Sequence, residues 1–407
     1  MRPRILYLTH RVPYPPDKGD RIRNWHVLRA LARRFRVSLG CVADEPVSDA
    51  AQSALAGQCE RVATVPVSRF GSLARAGVSL LRGCSLSEGA FASRELAIKA
   101  EAWHAESPFS AAVVSATSLI PYLRRPAFQN VPAFVDVVDV DSQKWIDFAK
   151  SVWPPKSWLY RLEGSRVRRL ERALPDWAAG ATLVSAAEAR IFDAIAGDGA
   201  STVATNGVDL EYFRPATEPT RPIAAFVGAL DYLPNVDAAE WFATKVWPAI
   251  HARRPDAEFH LIGRNPAPRV RRLATVPGVV LVGGVPDVRP HLVAAAVAVV
   301  PMRLSRGLQN KVLEALAMGK ATIAAPPALT ALDVKPGCHL LRAESADDWI
   351  SETLDLFADP RRRAALGREG RAFVESHHDW ERCLEPLLER IESAISPASP
   401  RRTEVPV

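Results

Sequence analysis

The residues Val297-Ala-Val-Val-Pro-Met-Arg-Leu-Ser-Arg-Gly-Leu-Gln-Asn-Lys-Val-Leu-Glu-Ala-Leu-Ala-Met-Gly319 read as a strand, a loop and a helix in succession. The run 297–301 is short, apolar throughout and stopped by a proline, which marks a strand covered on both faces. Residues 308–318 then return apolar side chains at helical spacing, and Gly319 is placed to end that helix. A doubly covered strand followed by a helix is the repeating unit of a parallel α/β sheet. Because the helix starts just after Gly307, its unpaired N–H groups and positive dipole end form a ready anion site. Lys311 lies in the first turn, where its ammonium adds a point charge for a diphosphate. Glu314 is one turn further along the face that carries Asn310 and Lys311, and a carboxylate there accepts from both vicinal hydroxyls of a ribose. An ordinary surface Lys–Glu pair at i, i+3 has the same spacing, so the pattern by itself leaves both readings open.

The same unit recurs in both directions. Upstream, strands are expected at 5–9, 36–41, 111–115, 133–140 and 180–185, with a helix over 20–35 presenting Ile22, Trp25, Leu28, Leu31 and Ala32. Downstream, strands are expected at 224–228, 258–263, 279–283 and 321–325, with a helix over 236–252 and closing helices near 347–357, 360–377 and 380–395. The pattern pauses over 206–222, where Asn206-Gly207, Pro215, Pro219 and Pro222 leave little that could pack. The reading is therefore an α/β chain of two doubly wound, Rossmann-like domains, 1–208 and 223–379, joined by a linker over 209–222 and facing across a cleft. Helix 380–395 is expected to cross back to the first domain, and the tail 396–407 to be disordered.

Composition narrows the partners. The 407 residues suit two cores rather than one, and 48% hydrophobic with 24% charged residues is an ordinary globular balance. A net charge of +7 fits phosphorylated ligands or an anionic membrane. Nucleic acid is disfavoured, since the arginines are dispersed and no recognition helix or zinc spacing occurs. The five cysteines are scattered without a C-x-x-C pair, as in a reduced cytoplasmic protein. Residues 1–10 lack a cleavable signal's features, and no stretch reaches the roughly 18 apolar residues that span a bilayer.

Resemblance adds to this. Gln309-Asn-Lys-Val-Leu-Glu-Ala-Leu-Ala-Met-Gly319 resembles the donor-binding helix of glycosyltransferase family four, retaining enzymes of the GT-B fold. More closely, the chain looks like the sugar transferases of exosortase (PEP-CTERM) exopolysaccharide clusters. Collinear segments share the likeness: Pro13–Trp25 in the first loop, Asp136–Trp145, Asn206-Gly-Val-Asp209, Phe226–Asp237 and Gly283-Gly-Val-Pro-Asp287. The resemblance implies that Glu314 holds the nucleotide ribose and that Gly307, Leu308, Gln309, Asn310 and Lys311 hold the diphosphate. Gly228 and Arg264 would line the same donor site, and Val285 the loop that cradles the base. The chain also departs from the wider family. Arg306 stands where many members carry a first Glu, and Ala229 and Asn235 stand where many carry an Arg and a Lys; Lys311, Arg264 or Arg306 would have to substitute.

In the first domain, Gly19 and Asp20 end the loop after the first strand. The glycine lets backbone approach a donor sugar or phosphate, and Asp20 either serves that ligand or caps the next helix. His10 is a weaker candidate nearby. Asp136, Asp139 and Asp141 follow a buried strand, and strand alternation would put Asp139 and Asp141 on one face, as in a metal-binding D-x-D. With the donor helix in the second domain, Asp139 reads better as acceptor-side chemistry or as a structural carboxylate, and no metal cofactor is expected. Residues 144–172 interleave Trp145, Phe148, Trp153, Trp158 and Tyr160 with eight Lys and Arg, which suits either an anionic membrane surface or a helix with its aromatics packed inside.

The expected activity is transfer of a sugar from a nucleoside-diphosphate sugar to a glycan or polyprenyl-linked glycan, in the cytoplasm or on the inner face of the membrane. The rivals are a nucleotide-sugar epimerase of the same architecture and a non-catalytic sugar-nucleotide-binding protein.

Overall fold

The apolar runs pair as parallel neighbours in two separate sheets. The computed structural model describes residues 2–150, 152–216, 221–304 and 307–396. Its two units are Met1–Ala204 with Leu384–Val407, and Thr205–Cys383. The first unit holds β1 (Arg4–Thr9), β2 (Arg36–Ala43), β3 (Arg61–Pro66), β4 (Ala111–Ser115), β5 (Ala133–Val138), β6 (Gly180–Leu183) and β7 (Ser201–Val203), in the spatial order β3-β2-β1-β4-β5-β6-β7. The second holds β8 (Ile223–Val227), β9 (Glu258–Ile262), β10 (Val279–Gly283), β11 (Val297–Val300), β12 (Thr322–Ala324) and β13 (Leu341–Arg342), in the order β10-β9-β8-β11-β12-β13. Every strand pair is parallel. The continuous apolar runs follow directly: every residue of β1, β4 and β11 is buried, because helices cover both faces.

In each sheet the strand order reverses at one point, between β1 and β4 and between β8 and β11. Helices leave the sheet on opposite sides there, so the loops that follow those strands border a natural crevice within the unit. The helix Gly19–Arg34 follows β1, and the helix Asn310–Ala317 follows β11.

The first unit is pinned by a buried polar cluster beneath its switch point. Arg23 reaches both carboxylate oxygens of Asp136 at 2.7 Å, and Thr182 Oγ1 donates to the same carboxylate at 2.8 Å. Burial and the neighbouring Asp136 charge push the Tyr7 phenol well above its usual range. Its hydroxyl donates to Asn24 Oδ1 at 3.2 Å, as does Ser115 Oγ at 2.6 Å.

The segment 206–216 packs more than its prolines suggest. Val208 is buried in the second unit's core and bridges to Asp379, and Leu210 and Phe213 pack against that core. Arg371 fixes the segment by donating to the carbonyls of Phe213 and Leu210 as well as to Ala317 at the end of the helix Asn310–Ala317. The closing helix Trp380–Ile395 joins the first unit from Leu384 onward, where Glu385 and Glu392 take the two ends of the Arg34 guanidinium. The helix expected over 236–252 spans Leu233–Arg253 and contains a π turn at Phe242–Val246, just before Pro248, which has no N–H for a regular ladder. The tail 397–407 lies outside the described residues.

Candidate functional site

At the switch point of the second sheet, the loop after β11 enters its helix through Gly307, whose φ of +67° suits glycine. The helix starts at Asn310, two residues later than its periodicity suggests. Gln309 is the N-cap with extended backbone and makes no side-chain cap bond. Within the first turn Val312 N–H donates to the Gln309 carbonyl at 2.9 Å, and no side-chain cap takes the N–H groups of Asn310 and Lys311. Leu308 packs on the unit's core, and Asn310 Oδ1 accepts from Asn206 Nδ2 at 3.0 Å. Arg306 lies outside the described residues.

Lys311 is half-buried, and its surroundings explain its chemistry. Its ammonium donates to Asn235 Oδ1 at 2.5 Å, lies 3.6 Å from Met302 Sδ and sits 5.1 Å from the centre of the Phe226 ring. Asn235 Nδ2 donates to the Ala229 carbonyl at 2.9 Å, which turns its oxygen toward the lysine. Burial lowers the Lys311 pKa to about 8 against the attraction of Glu314. Burial raises Glu314 to about 7, with Lys311 opposing. Among the described residues no hydrogen bond or ion pair reaches the Glu314 carboxylate, so this partly desolvated pair has few protein partners. Gly228 adjoins it directly: a Cβ there would lie 3.2 Å from Lys311 Nζ and 2.9 Å from Asn235 Nδ2.

The ends of β8, β9 and β10 are stitched together. Gly228 N–H donates to the Ile262 carbonyl at 3.0 Å, and Gly263 N–H to the Gly283 carbonyl at 2.8 Å. A Cβ at Gly263 would fall 1.7 Å from the Gly228 oxygen, so only glycine fits. Arg264 is exposed and lies along Gly284, where a Cβ would meet its Cγ at 2.9 Å. Val285 packs on the small cluster of Ile223, Ala225, Ile262 and Ala295. A clasp that the sequence reading missed then closes the loop after β10. Asp287 takes the Arg289 guanidinium at 2.7 and 3.0 Å and the Tyr212 hydroxyl at 3.2 Å, while Arg289 stacks 3.7 Å from the centre of the Tyr212 ring. Tyr212 lies 75 residues away in sequence and belongs to no helical or strand pattern, so nothing local announced it.

The first unit holds candidates of its own. Gly19 is the exposed first residue of its helix, and the N-cap is Lys18. Asp20 is therefore inside the first turn and is not the cap. Its carboxylate takes Arg11 at 2.8 Å and His10 at 3.3 Å; burial works against them, yet the two partners hold it well below the usual carboxylate range.

Asp139 and Asp141 do not share a strand face. β5 ends at Val138, whose φ of +69° is strained for a β-branched residue, and a register shift precedes it. Asp139 is half-buried beyond that kink. Asp141 already opens the helix Asp141–Lys150 and accepts from Thr117 Oγ1 at 2.8 Å. Among the described residues no group of three or more His, Cys, Asp or Glu is arranged to hold a metal ion.

The aromatic and cationic stretch 144–172 forms a hairpin of the helices Asp141–Lys150 and Lys156–Arg172, and only part of it faces solvent. Trp145 packs edge-on against Phe148 and lies 5.1 Å from the Tyr160 ring, while Arg166 and Arg168 bond protein groups. Trp153 and Trp158 are exposed. No described helix is long and apolar enough to cross a membrane.

Comparison with known proteins finds a family match inside the second unit. Residues 221–359 match the family described as glycosyl transferases group 1. The chain is 32% identical over 209 residues to a GDP-mannose-dependent monoacylated alpha-(1-6)-phosphatidylinositol monomannoside mannosyltransferase of Corynebacterium glutamicum, a match covering 46% of this chain and 55% of the relative. It thus spans about half the length of the curated relative it matches. Among solved structures, HepE of Anabaena with UDP and glucose aligns with a TM-score of 0.68 at 13% identity, over 96% of this chain and 100% of that one. Sucrose-phosphate synthase of Thermosynechococcus elongatus aligns with a TM-score of 0.70 at 17% identity and the same coverage. These likenesses show the fold, two parallel-sheet α/β units of the GT-B class.

Proposed function

We propose that this chain, whose residues 221–359 match the glycosyl transferases group 1 family, moves a sugar from a nucleoside-diphosphate sugar to a glycan or polyprenyl-linked glycan. The observation that carries the reading is the Lys311–Glu314 pair. Both groups are pushed toward neutrality by burial, both lie on the helix at the sheet's switch point, and the helix N–H groups adjoin them. A diphosphate at that N-terminus holds Lys311 in its charged form and supplies the partner that burial denies it. Charge that develops on the departing diphosphate then meets an ammonium and backbone dipoles already in place, which lowers the barrier without reorganisation. Glu314 accepts from the ribose hydroxyls, Gly228 admits the donor's phosphates close to the backbone, and Arg264 with the Val285 loop borders the base. On the acceptor side, Asp139 orients or deprotonates the incoming hydroxyl. Gly19 and Asp20 serve the donor sugar from the first unit, and no metal is required.

The UDP and UDP-glucose bound by HepE and the mannosyl transfer of the Corynebacterium relative favour a nucleotide-sugar donor. The likeness to exosortase-linked sugar transferases favours exopolysaccharide synthesis with retention of configuration, in the cytoplasm or on the inner face of the membrane through 144–172. A non-catalytic nucleotide-sugar binder has one observation in its favour: cations around the site are engaged by protein, Lys311 by Asn235 and Arg303 by both oxygens of Asp237.

Calorimetric titration with UDP, GDP and ADP, alongside Glu314→Ala, tests the reading. Selective binding of one nucleotide, lost in the variant, supports it. Binding of none overturns the donor site, and binding with no turnover on any glycan acceptor leaves the binder.

A further inference from the structure

The helix Arg69–Leu81 carries an apolar face with nothing on it. Phe70 is 87% exposed, Leu73 71% and Leu81 88%, with Val78 also exposed. Their spacing of three and eight residues places Phe70, Leu73 and Leu81 on one side. The helix is nonetheless anchored. Its far side packs on the short helix Leu86–Ala90, where a Cβ on Gly89 would lie 2.5 Å from the Arg75 carbonyl oxygen. Glu163 on the helix Lys156–Arg172 accepts from the N–H groups of Leu86 and Ser87 and from the Ser87 hydroxyl. Arg166 caps the end of the Arg69–Leu81 helix by donating to the carbonyls of Leu80 at 2.8 Å and Cys84 at 2.7 Å. Trp158 and Leu162 lie eight and four residues before Arg166, on the same side of the helix, and both are exposed. Trp153, 89% exposed, leads into the same helix.

We infer that the helix Arg69–Leu81 docks on an anionic lipid surface, side by side with Trp153 and Trp158. This rests on the membrane reading of 144–172 and adds an element outside it. Charge decides the occupant. Between Val67 and Ser87 the chain carries Arg69, Arg75 and Arg82 and no acid; between Phe148 and Leu162 it carries Lys156, Arg161 and Lys150, the last paired with Asp147 at 2.8 Å, and no acid. Exposed aromatic and leucine side chains in segments rich in cations suit the headgroup–acyl boundary of an anionic bilayer. A second copy of this chain is a poorer fit, because a twofold contact would bring these cationic segments face to face.

The test is co-sedimentation of the full chain with vesicles of phosphatidylcholine containing 30% phosphatidylglycerol and with pure phosphatidylcholine vesicles. The wild type should bind the anionic vesicles, bind pure phosphatidylcholine at least about tenfold less, and lose affinity as salt rises. Phe70→Ser with Leu81→Ser should lower partitioning about tenfold or more, and Trp153→Ser with Trp158→Ser should do likewise. All these side chains are exposed, so nucleotide binding by calorimetry should stay unchanged and reports that the variants are folded. If the tryptophan pair loses binding and the Phe70/Leu81 pair keeps it, the membrane reading stands and the role of Arg69–Leu81 is overturned. If the wild type ignores anionic vesicles, both fall. A concentration-dependent dimer abolished by Phe70→Ser with Leu81→Ser assigns the face to a second copy and also overturns the inference.

Discussion

Two cation–carboxylate pairs lie near the switch points of the two sheets, and they are built in opposite ways. Arg23 and Asp136 are 1% and 0% exposed, meet in a two-pronged geometry at 2.7 Å and gain a third bond from Thr182. Lys311 and Glu314 share a helix face, but the lysine's one oxygen partner is an amide and no described group bonds the carboxylate. A buried charge with both carboxylate oxygens bonded is part of the frame. A desolvated charge left short of partners costs stability unless something arrives to complete it. Partner supply, more than burial, separates the keystone from the site.

The comparison breaks first on stability. Asp136→Asn strands the Arg23 guanidinium in the interior and should cost about 3–5 kcal/mol, read as a large fall in the thermal midpoint by circular dichroism. An equal loss from Lys311→Met would erase the distinction drawn here. The expected result is the reverse: Lys311→Met should leave the midpoint unchanged or raise it, while nucleotide affinity or kcat/KM falls roughly tenfold or more. The pH dependence carries the same contrast. Glu314, raised to about 7 in the fold, favours the folded state when protonated, so its contribution is lost as pH rises from the unfolded value of 4.5 through 7. Lys311, lowered to about 8, is strained while charged, so stability returns as pH rises from 8 toward 10.5. The double variant Lys311→Met, Glu314→Gln should therefore gain most over the wild type between pH 7 and 8, measured by urea midpoints at several pH values.

Much of the fold was legible because parallel sheets write themselves as apolar runs. The strands at 111–115 and 279–283 fall where the sequence places them, and the others shift by a residue or two. The strands β3, β7 and β13 were missed, since they lie at or beside sheet edges, where burial is partial and the apolar signal weak. The donor-like helix was legible from Lys311 and Glu314 at i, i+3 after a glycine loop. Its partners were not: Phe226 and Asn235 come from more than seventy residues away, and Met302 turns back from the loop before the helix, so the three meet only on folding. The Asp139–Asp141 spacing misled because alternation holds only inside a strand, and β5 stops at Val138. The stretch 144–172 left two readings open, and the structure divides it: Trp145 and Tyr160 pack against each other, while Trp153 and Trp158 are exposed.

Smaller effects sharpen the contrast. Glu314→Gln keeps shape and removes charge, so a ribose contact should weaken about tenfold in nucleotide titrations, with the deoxyribose analogue losing less than the ribose form between wild type and variant. Equal losses for both sugars would move Glu314 from the ribose to a general electrostatic role.

The mildest change is at Asn235. Its carbonyl oxygen is the only oxygen that Lys311 bonds among the described residues, and its amide is tied back to Ala229. Asn235→Ala removes that bond without touching the ammonium, so free Lys311 should titrate still lower and the diphosphate becomes its sole strong partner. The expected outcome is a few-fold change in nucleotide affinity at pH 7 with a steeper loss above pH 8, followed by calorimetry across pH 6.5–9. Were Asn235 instead a direct ligand of the donor, affinity would fall by the same factor at every pH. The shape of that curve, more than its depth, tells whether the amide serves the lysine or the nucleotide.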